Sequence, residues 1–445
     1  MTESRENFEN LNQKLLTFVD NSPTSFHAVD NMKAILEQAG YNRLLEGESW
    51  KLKEGGRYYV TRNDSSLIAF QIPKRDFVGF QIMASHSDSP ALKIKANAEI
   101  QIEKKYVKLN VEKYGGMLCS PWLDRPLSVA GRIVVRTAEG VATKLVNVDR
   151  DLLIIPNLAI HLNRKVNEGY EFNAQRDLLP LFGGEKAKDG LLKQIAREAQ
   201  VEEGDILDTD LFLYNRMKGT VLGMNNEFIA APRLDDLQCV FGSLMGFLKA
   251  TPKDSAAVLC VLDNEEVGSG TKQGADSTFL RDVLRRIHLA MGRSEEAYIM
   301  ALASSFMVSA DNAHSIHPNQ PDKADPTNRP FMNEGIVIKY SANQKYTTDA
   351  VSGALFKSVC DRAEVPYQVF FNRSDMLGGS TLGNISNSQV ALNTVDIGLP
   401  QLAMHSCYET AGSKDTAYLV RAAQVMYSSS IQGAGDGTYR LYFHQ

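Results

Sequence analysis

Apolar residues recur along this chain with two different periods, and the changes of period mark its organisation. After Ser22-Pro23-Thr24, a helix-start signal in which proline takes a position whose N–H would be unpaired anyway, Phe26, Val29, Met32 and Leu36 fall on one helical face. Tyr58–Arg62 and Leu67–Ile72, separated by Asn63-Asp64-Ser65-Ser66, predict a hairpin, and the apolar run Phe77–Ala84 predicts a buried strand. From Lys93 to about Val148 the pattern alternates: Ile100 and Ile102, then Val107, Leu109 and Val111, then Ile133 and Val135. That period of two indicates strands with one wet face. Residues 151–225 are polar and loop-rich, with one helical piece near Leu191–Ala199.

From Pro232 onward an α/β alternation returns. Leu237, Val240, Leu244 and Leu248 form a helix stripe, Ala256–Leu262 a buried strand and Phe279–Leu289 a second helix. Val337–Lys339, Val365–Phe371 and Leu402–Met404 are further strand candidates, and Asp415–Ser429 a final helix. The expected architecture is an α/β catalytic domain built from 1–92 and 231–445, interrupted by a β-rich insertion over 93–230.

Composition narrows the function classes. At 445 residues the chain exceeds one comfortable core, which agrees with two domains. A net charge of −5 argues against nucleic acid or an anionic membrane as partner. No stretch approaches the ~20 apolar residues that span a bilayer. The polar start, MTESRENFENLNQK, lacks the basic-then-apolar order of a signal peptide. Five cysteines include no CxxC pair, so a reducing cytoplasm is expected and a thiolate zinc site is not.

The candidate chemistry lies at predicted strand ends and helix starts. His86 and Asp88 follow Phe77–Ala84, Asp235 and Asp236 open a helix, and Glu265 and Glu266 follow Ala256–Leu262. Asp311 follows Phe306–Ala310, and His405 follows Leu399–Met404. Open α/β sheets bind ligands outside the carboxyl ends of their strands, so one site could gather all of these groups. Imidazole and carboxylate without thiolate suit Zn²⁺, with Mn²⁺ or Co²⁺ as substitutes. Each group also has an ordinary explanation. The glutamates could be a solvated turn, Asp235 or Asp236 a helix cap, His86 a loop histidine bonded to a carboxylate, and His405 an interior histidine.

Taken together, HSDSP (86–90), RLDDLQC (233–239), DNEEVGSG (263–270), SADNAHSIHPN (309–319) and LPQLAMHS (399–406) resemble the aspartyl-aminopeptidase-like family of cocatalytic zinc aminopeptidases. YGGMLCSPWLDRPLSVAGR (114–132) and IPNLAIHLNR (155–164) resemble that family's non-catalytic domain. The resemblance implies a three-layer α/β zinc-peptidase domain, two Zn²⁺ per subunit and a tetrahedral dodecamer. It implies that Asp235 bridges the ions, that His86 and Asp311 complete one ligand set, and that Glu266 and His405 complete the other. Glu265 would be the general base and Asp88 would orient His86. His161 matches a histidine brought into a neighbouring subunit's site, and Lys339 a lysine associated with acidic substrate side chains. Two departures stand out: the second aspartate of RLDDLQC is often asparagine in relatives, and Lys345 stands where they commonly carry arginine.

The implied activity is hydrolysis of the N-terminal peptide bond of peptides, with acidic N-terminal residues preferred. The alternatives are a dinuclear hydrolase of another amide, and a non-catalytic assembly protein on the same fold. Intact Glu265 beside five ligands argues against the latter.

Overall fold

The computed structural model describes residues 5–444, so the first four residues of the polar start lie outside the described residues. Its centre is a nine-stranded sheet in the order Asn42–Leu44, Arg57–Arg62, Ser66–Gln71, Ala256–Leu262, Phe80–His86, Phe306–Ala310, Asn393–Gly398, Ile336–Tyr340 and Tyr367–Phe371. Four adjacent central strands, from Ala256–Leu262 to Asn393–Gly398, run parallel. Such strands are covered on both faces and therefore read as continuous apolar runs. The side-chain period of two then divides each strand between two cores. Ala257, Leu259 and Val261 pack with the helices Ser25–Gln38, Leu234–Lys249, Ala350–Ala363 and Asp415–Ser428, whereas Ala256, Val258, Cys260 and Leu262 pack with Phe279–Ala290 and Glu295–Ala303. Helix, sheet and helix make a three-layer α/β domain.

The alternating segment forms a separate six-stranded antiparallel sheet in the order Gly140–Asn147, Leu127–Thr137, Ile206–Asn215, Ala91–Ile102, Tyr106–Tyr114 and Leu181–Gly184. It has its own core around Leu109, Val129, Ile133 and Leu211, closed by the helix Leu191–Ala199. Ile206–Asn215 lies inside this sheet, although the sequence pattern around it reads as loop. Its first half carries Asp208, Thr209 and Asp210, whose polarity conceals the inward alternation of Leu211 and Leu213. Asp210 is neutralised by Lys93 at 2.8 Å and Arg132 at 3.0 Å.

A five-stranded sheet joins the two regions: Thr220–Leu222, Phe228–Ala231, Glu409–Gly412, Pro400–Leu402 and Ala313–His314. Phe228–Ala231 pairs with Glu409–Gly412 of the C-terminal half, and Thr220–Leu222 adds to its other side. Two helices pack closely beneath it. A Cβ on Gly246 would lie 2.4 Å from the Ala423 Cβ, so the helix Leu234–Lys249 meets Asp415–Ser428 at a distance only glycine permits. No helix among the described residues is long and apolar enough to cross a membrane.

Candidate active site

Three parallel strands end side by side at one edge of the main sheet and carry most of the chemistry. His86 is the last residue of Phe80–His86, paired with Leu262; Glu265 and Glu266 lie in the 3₁₀ turn after Ala256–Leu262, and Asp311 directly follows Phe306–Ala310. His405 stands in the turn after Pro400–Leu402, with a left-handed φ of 64°. His86 Nε2 is 3.4 Å from Asp235 Oδ1 and 3.8 Å from Asp311 Oδ1. His405 Nε2 is 3.6 Å from the other Asp235 oxygen, Oδ2, and 3.3 Å from Glu266 Oε2. One carboxylate therefore turns its two oxygens to two different groups of ligand-type atoms. Within each group, His86–Asp235–Asp236–Asp311 and Asp235–Glu266–His405, these atoms lie within 4.8 Å of one another.

Helix capping does not account for the aspartates. Asp235 and Asp236 have non-helical dihedrals at the head of Leu234–Lys249, and among the described residues neither carboxylate accepts a helix N–H. Asp236 Oδ2 instead accepts the His86 N–H at 3.1 Å. Asp235 Oδ1, Asp236 Oδ1 and Glu266 Oε1 are buried without a hydrogen-bond donor. Buried carboxylate oxygens need a positive partner, and nitrogen and oxygen donors in these numbers fit Zn²⁺.

A family model described as aminopeptidase I zinc metalloprotease (M18) matches residues 18–427. The chain belongs to the M18 aminopeptidase family. It is similar to the probable M18 family aminopeptidase 2 of Clostridium acetobutylicum, at 48% identity over 94% of this chain and 98% of that protein. The corresponding protein of Clostridium novyi is 46% identical over 93% of this chain and 98% of its own length. Among solved structures, Ape4 in the cryo-EM structure of the Ape4 and Nbr1 complex matches with a TM-score of 0.92 and 36% identity, covering 96% of this chain and 87% of that one. The mApe1 dodecamer of S. cerevisiae matches with a TM-score of 0.82 and 28% identity, covering 94% of this chain and 96% of that one. The protein is thus an aminopeptidase of a zinc metalloprotease family.

Electrostatics in this M18 site follow from crowding. Burial, with Asp311, Asp88 and Asp235 nearby, pushes the Glu265 carboxyl up to about 8. Burial and neighbouring carboxylates likewise raise Glu266 and Asp236 well above the ordinary range. Asp311 goes the other way: burial opposes ionisation, but the Lys339 ammonium and His86 hold it at about 2. A divalent cation held at this edge would offset the crowding by direct attraction and favour ionised glutamates.

Asp88 contacts more than a histidine. The His86 Nδ1 is 3.0 Å from the Asp88 backbone carbonyl and 3.4 Å from its carboxylate. That carboxylate accepts the backbone N–H groups of Glu265 and Glu266 at 3.1 and 3.2 Å, and the Tyr114 hydroxyl at 2.7 Å. Burial and the Asp88 charge raise the Tyr114 hydroxyl, which stays protonated and donates. Glu409 plays a matching part on the other side, accepting the N–H of Asp235 at 2.9 Å and of His405 at 2.7 Å. His405 Nδ1 donates to the Gly116 carbonyl, which leaves Nε2 free to face Asp235 and Glu266. Tyr114, Gly116 and Glu409 escape a reading of the sequence as ligands, because each acts on backbone or ring atoms that only the fold brings near; Asp236, singled out beside Asp235, holds the His86 N–H as well as joining a ligand group. The i,i+4 spacing of His405 and Glu409 is the one local hint.

The cluster opens into a cavity of about 310 Å³ lined also by Asn312, Lys339, Tyr346 and Thr381. A larger cavity of about 400 Å³ lies at the junction with the insertion, behind Asp88 and Glu409, and does not contain the facing ligand atoms. Lys339 is buried, 3.5 Å from Asp311 Oδ2 and 3.1 Å from the Asn312 carbonyl, with its ammonium 5.4 Å from the centre of the Tyr346 ring. His161 is exposed in the short 3₁₀ helix Ile160–Leu162 of the insertion and does not line the cavity.

The raised carboxyls have a thermodynamic consequence. A native group titrating at about 8 that titrates near 4.5 when unfolded binds more protons in the native state between those values. Stability of the chelator-stripped protein should therefore fall as pH rises from 5 to 8, by roughly 1 kcal/mol per pH unit for such a group. Zinc should abolish the fall. Urea unfolding at pH 5.5 and 8, with and without zinc, checks this; a stripped protein that gains stability across that range contradicts the crowding argument.

Proposed function

We propose that the protein is a dinuclear zinc aminopeptidase that releases N-terminal residues from peptides and prefers aspartate or glutamate there. The observation that carries this reading is the division of the Asp235 oxygens between two ligand groups. His86, Asp235 and Asp311 would hold one ion, and Asp235, Glu266 and His405 the other. Zinc bound there, or Mn²⁺ or Co²⁺ in its place, supplies Lewis-acid polarisation of the scissile carbonyl and acidifies water. Glu265 belongs to neither ligand group yet lines the cavity, so its carboxylate takes the water proton and delivers it to the leaving amine nitrogen. Asp88, by holding the Glu265 N–H, keeps that carboxylate on the cavity side. A cavity of about 310 Å³ is at the small end of ligand pockets, which suits one terminal residue more than a length of chain.

Lys339 supports the acidic preference. An ammonium has three donors; the Asn312 carbonyl takes one and Asp311 faces another, leaving one for a substrate carboxylate in the cavity it lines. Exposed Leu158, Ile160 and Leu162 flank His161, which supports a subunit boundary there and the entry of His161 into a neighbouring site. The similar mApe1 is a dodecamer, and we infer a dodecamer here, tetrahedral as the family resemblance implies, with the insertion over 93–230 as its oligomerisation domain. Five free cysteines, four of them buried, support a reducing cytoplasmic setting.

Replacing Glu265→Gln should cut kcat by roughly 10²–10⁴-fold with near-normal zinc content, because the base is lost and the ligands remain. Asp235→Ala should lose metal at both positions. Metal analysis beside steady-state kinetics decides, and two retained ions in Asp235→Ala would refute the bridge.

Lys339→Met should lower kcat/KM for aspartyl substrates by roughly 10–100-fold, the worth of one charged hydrogen bond, and spare leucyl substrates. Equal losses on both substrates would remove Lys339 from specificity.

Mixing Glu265→Gln chains with His161→Ala chains, each impaired alone, should restore activity once subunits exchange. No recovery after proven exchange would place His161 outside a neighbour's site.

A further inference from the structure

We infer that Tyr114, from the inserted sheet, is a positioning residue for the catalytic turn: its hydroxyl, acting through the Asp88 carboxylate, sets where Glu265 and Glu266 sit. The inference rests on the roles proposed above for those glutamates.

Tyr114 closes the strand Tyr106–Tyr114, far in sequence from the turn it touches. An ionised carboxylate offers about four acceptor sites. At Asp88 three are filled, by two backbone N–H groups at 3.1 and 3.2 Å and by the Tyr114 hydroxyl at 2.7 Å. The hydroxyl bond is the shortest, in the range of a charge-assisted O–H···O⁻ contact, so it does most to fix the carboxylate plane. Tyr114 also reaches the other end of the turn, because Asn264, immediately before Glu265, donates its Nδ2 hydrogen to the Tyr114 oxygen at 2.8 Å. Asn264 is held in turn by Thr271 and Gln273, each at 2.8 Å. Hydroxyl, carboxylate, turn backbone and amide therefore form a closed ring of hydrogen bonds around the residue that carries the base.

The next residues of the insertion continue the contact. Gly115 has a φ of 76°, and a Cβ there would lie 3.1 Å from the Glu266 Cβ and 3.2 Å from its carbonyl oxygen. Gly116 accepts from His405 Nδ1. Three consecutive insertion residues thus bear on the base turn, on Glu266 and on His405. The Tyr114 ring has a separate packing role, edge-on to Phe212 at 5.6 Å, which a phenylalanine preserves.

Tyr114→Phe removes the hydroxyl and keeps that packing. The expected result is a kcat lowered roughly 10–100-fold, a KM within about twofold, and faster zinc transfer to a chromogenic chelator, as for other groups that hold metal-site residues from behind. In an Asp88→Asn background the same change should add nothing further, since the hydroxyl acts through that carboxylate. Asn264→Asp provides a second route with the ring untouched. Its new carboxylate competes for the tyrosine proton, keeps the acceptor facing Thr271 and Gln273, and should lower kcat in the same way. Wild-type kcat and zinc transfer in Tyr114→Phe, or a full additional loss in the Asp88→Asn background, overturns the inference; so does a lowered melting temperature with kcat intact. If Glu265→Gln remains fully active, the reading beneath it fails instead.

Discussion

An ionised carboxylate taken out of water without a counter-charge costs several kcal/mol, yet this fold gathers Asp88, Asp235, Asp236, Glu265, Glu266, Asp311 and Glu409 at one edge of one sheet. The positive groups facing them are Lys339 and His86; burial opposes a charge on His86, but hydrogen bonds to Asp235, Asp311 and Asp88 raise it well above the usual imidazole range. The structure resolves the excess by dividing the carboxylates into two layers. Asp88, Asp236 and Glu409 turn toward peptide N–H groups: Asp88 toward Glu265 and Glu266, Asp236 toward His86, Glu409 toward Asp235 and His405. Asp235 and Glu266 keep an oxygen with no donor at all, and Asp236 belongs to both layers, its Oδ2 holding the His86 N–H while its Oδ1 has no donor. The first layer uses its charge to hold backbone; the second leaves ligand-type oxygens close enough together that they could hold a cation. Either layer alone would be unstable, because backbone groups hold the aspartates and glutamates together only while something offsets their repulsion.

The rest of the architecture serves that arrangement. All seven residues of Ala256–Leu262 and of Phe80–His86 are buried, so these strands cannot shift in register without exposing apolar surface on both faces. That rigidity fixes where each chain segment emerges at the edge. What emerges is then turned by residues in unusual conformations: Asn264 at φ 62°, Gly268 at φ 94° and His405 at φ 64°. Asparagine and glycine tolerate that region readily. His405 does not share that ease, and is retained there by Glu409 on its N–H and Gly116 on its ring.

How much of this could be read from the sequence depends on whether local pattern or distant contact sets the outcome. Ala256–Leu262 and Phe306–Ala310 have the bounds that their apolar runs predict, and Arg57–Arg62 pairs with Ser66–Gln71 as the expected hairpin. Phe77–Ala84 is displaced to Phe80–His86. Phe77 is buried by ring packing against Phe80 and His288, outside the sheet, whereas His86 still pairs with Leu262. Ile206–Asn215 was hidden because the aspartate in its middle is balanced by a lysine and an arginine from other strands. The ligand-type residues stood out because imidazole and carboxylate at strand ends form a recognisable chemistry. Tyr114 did not, since a tyrosine in an alternating strand has no local mark of its work, and Glu409, at the head of Glu409–Gly412, offers only its spacing from His405. Asp88 lies 26 residues from Tyr114, and Asp235 lies 174 residues from Glu409.

Those separations also say when the centre can exist. The facing groups come from positions 86, 235, 266, 311 and 405, carried by two sheets and a helix. No contiguous segment holds enough of them to bind an ion tightly, so the unfolded chain competes poorly for metal. Binding energy realised only in the folded state is folding energy. The insertion enters the same account. Its strand Tyr106–Tyr114 must be seated before Tyr114 can reach Asp88, and its Gly116 carbonyl before the His405 ring is fixed. A domain that looks like an interruption in the sequence is therefore part of what closes the edge where the carboxylates gather. Sheet, insertion and metal should accordingly form as one cooperative unit.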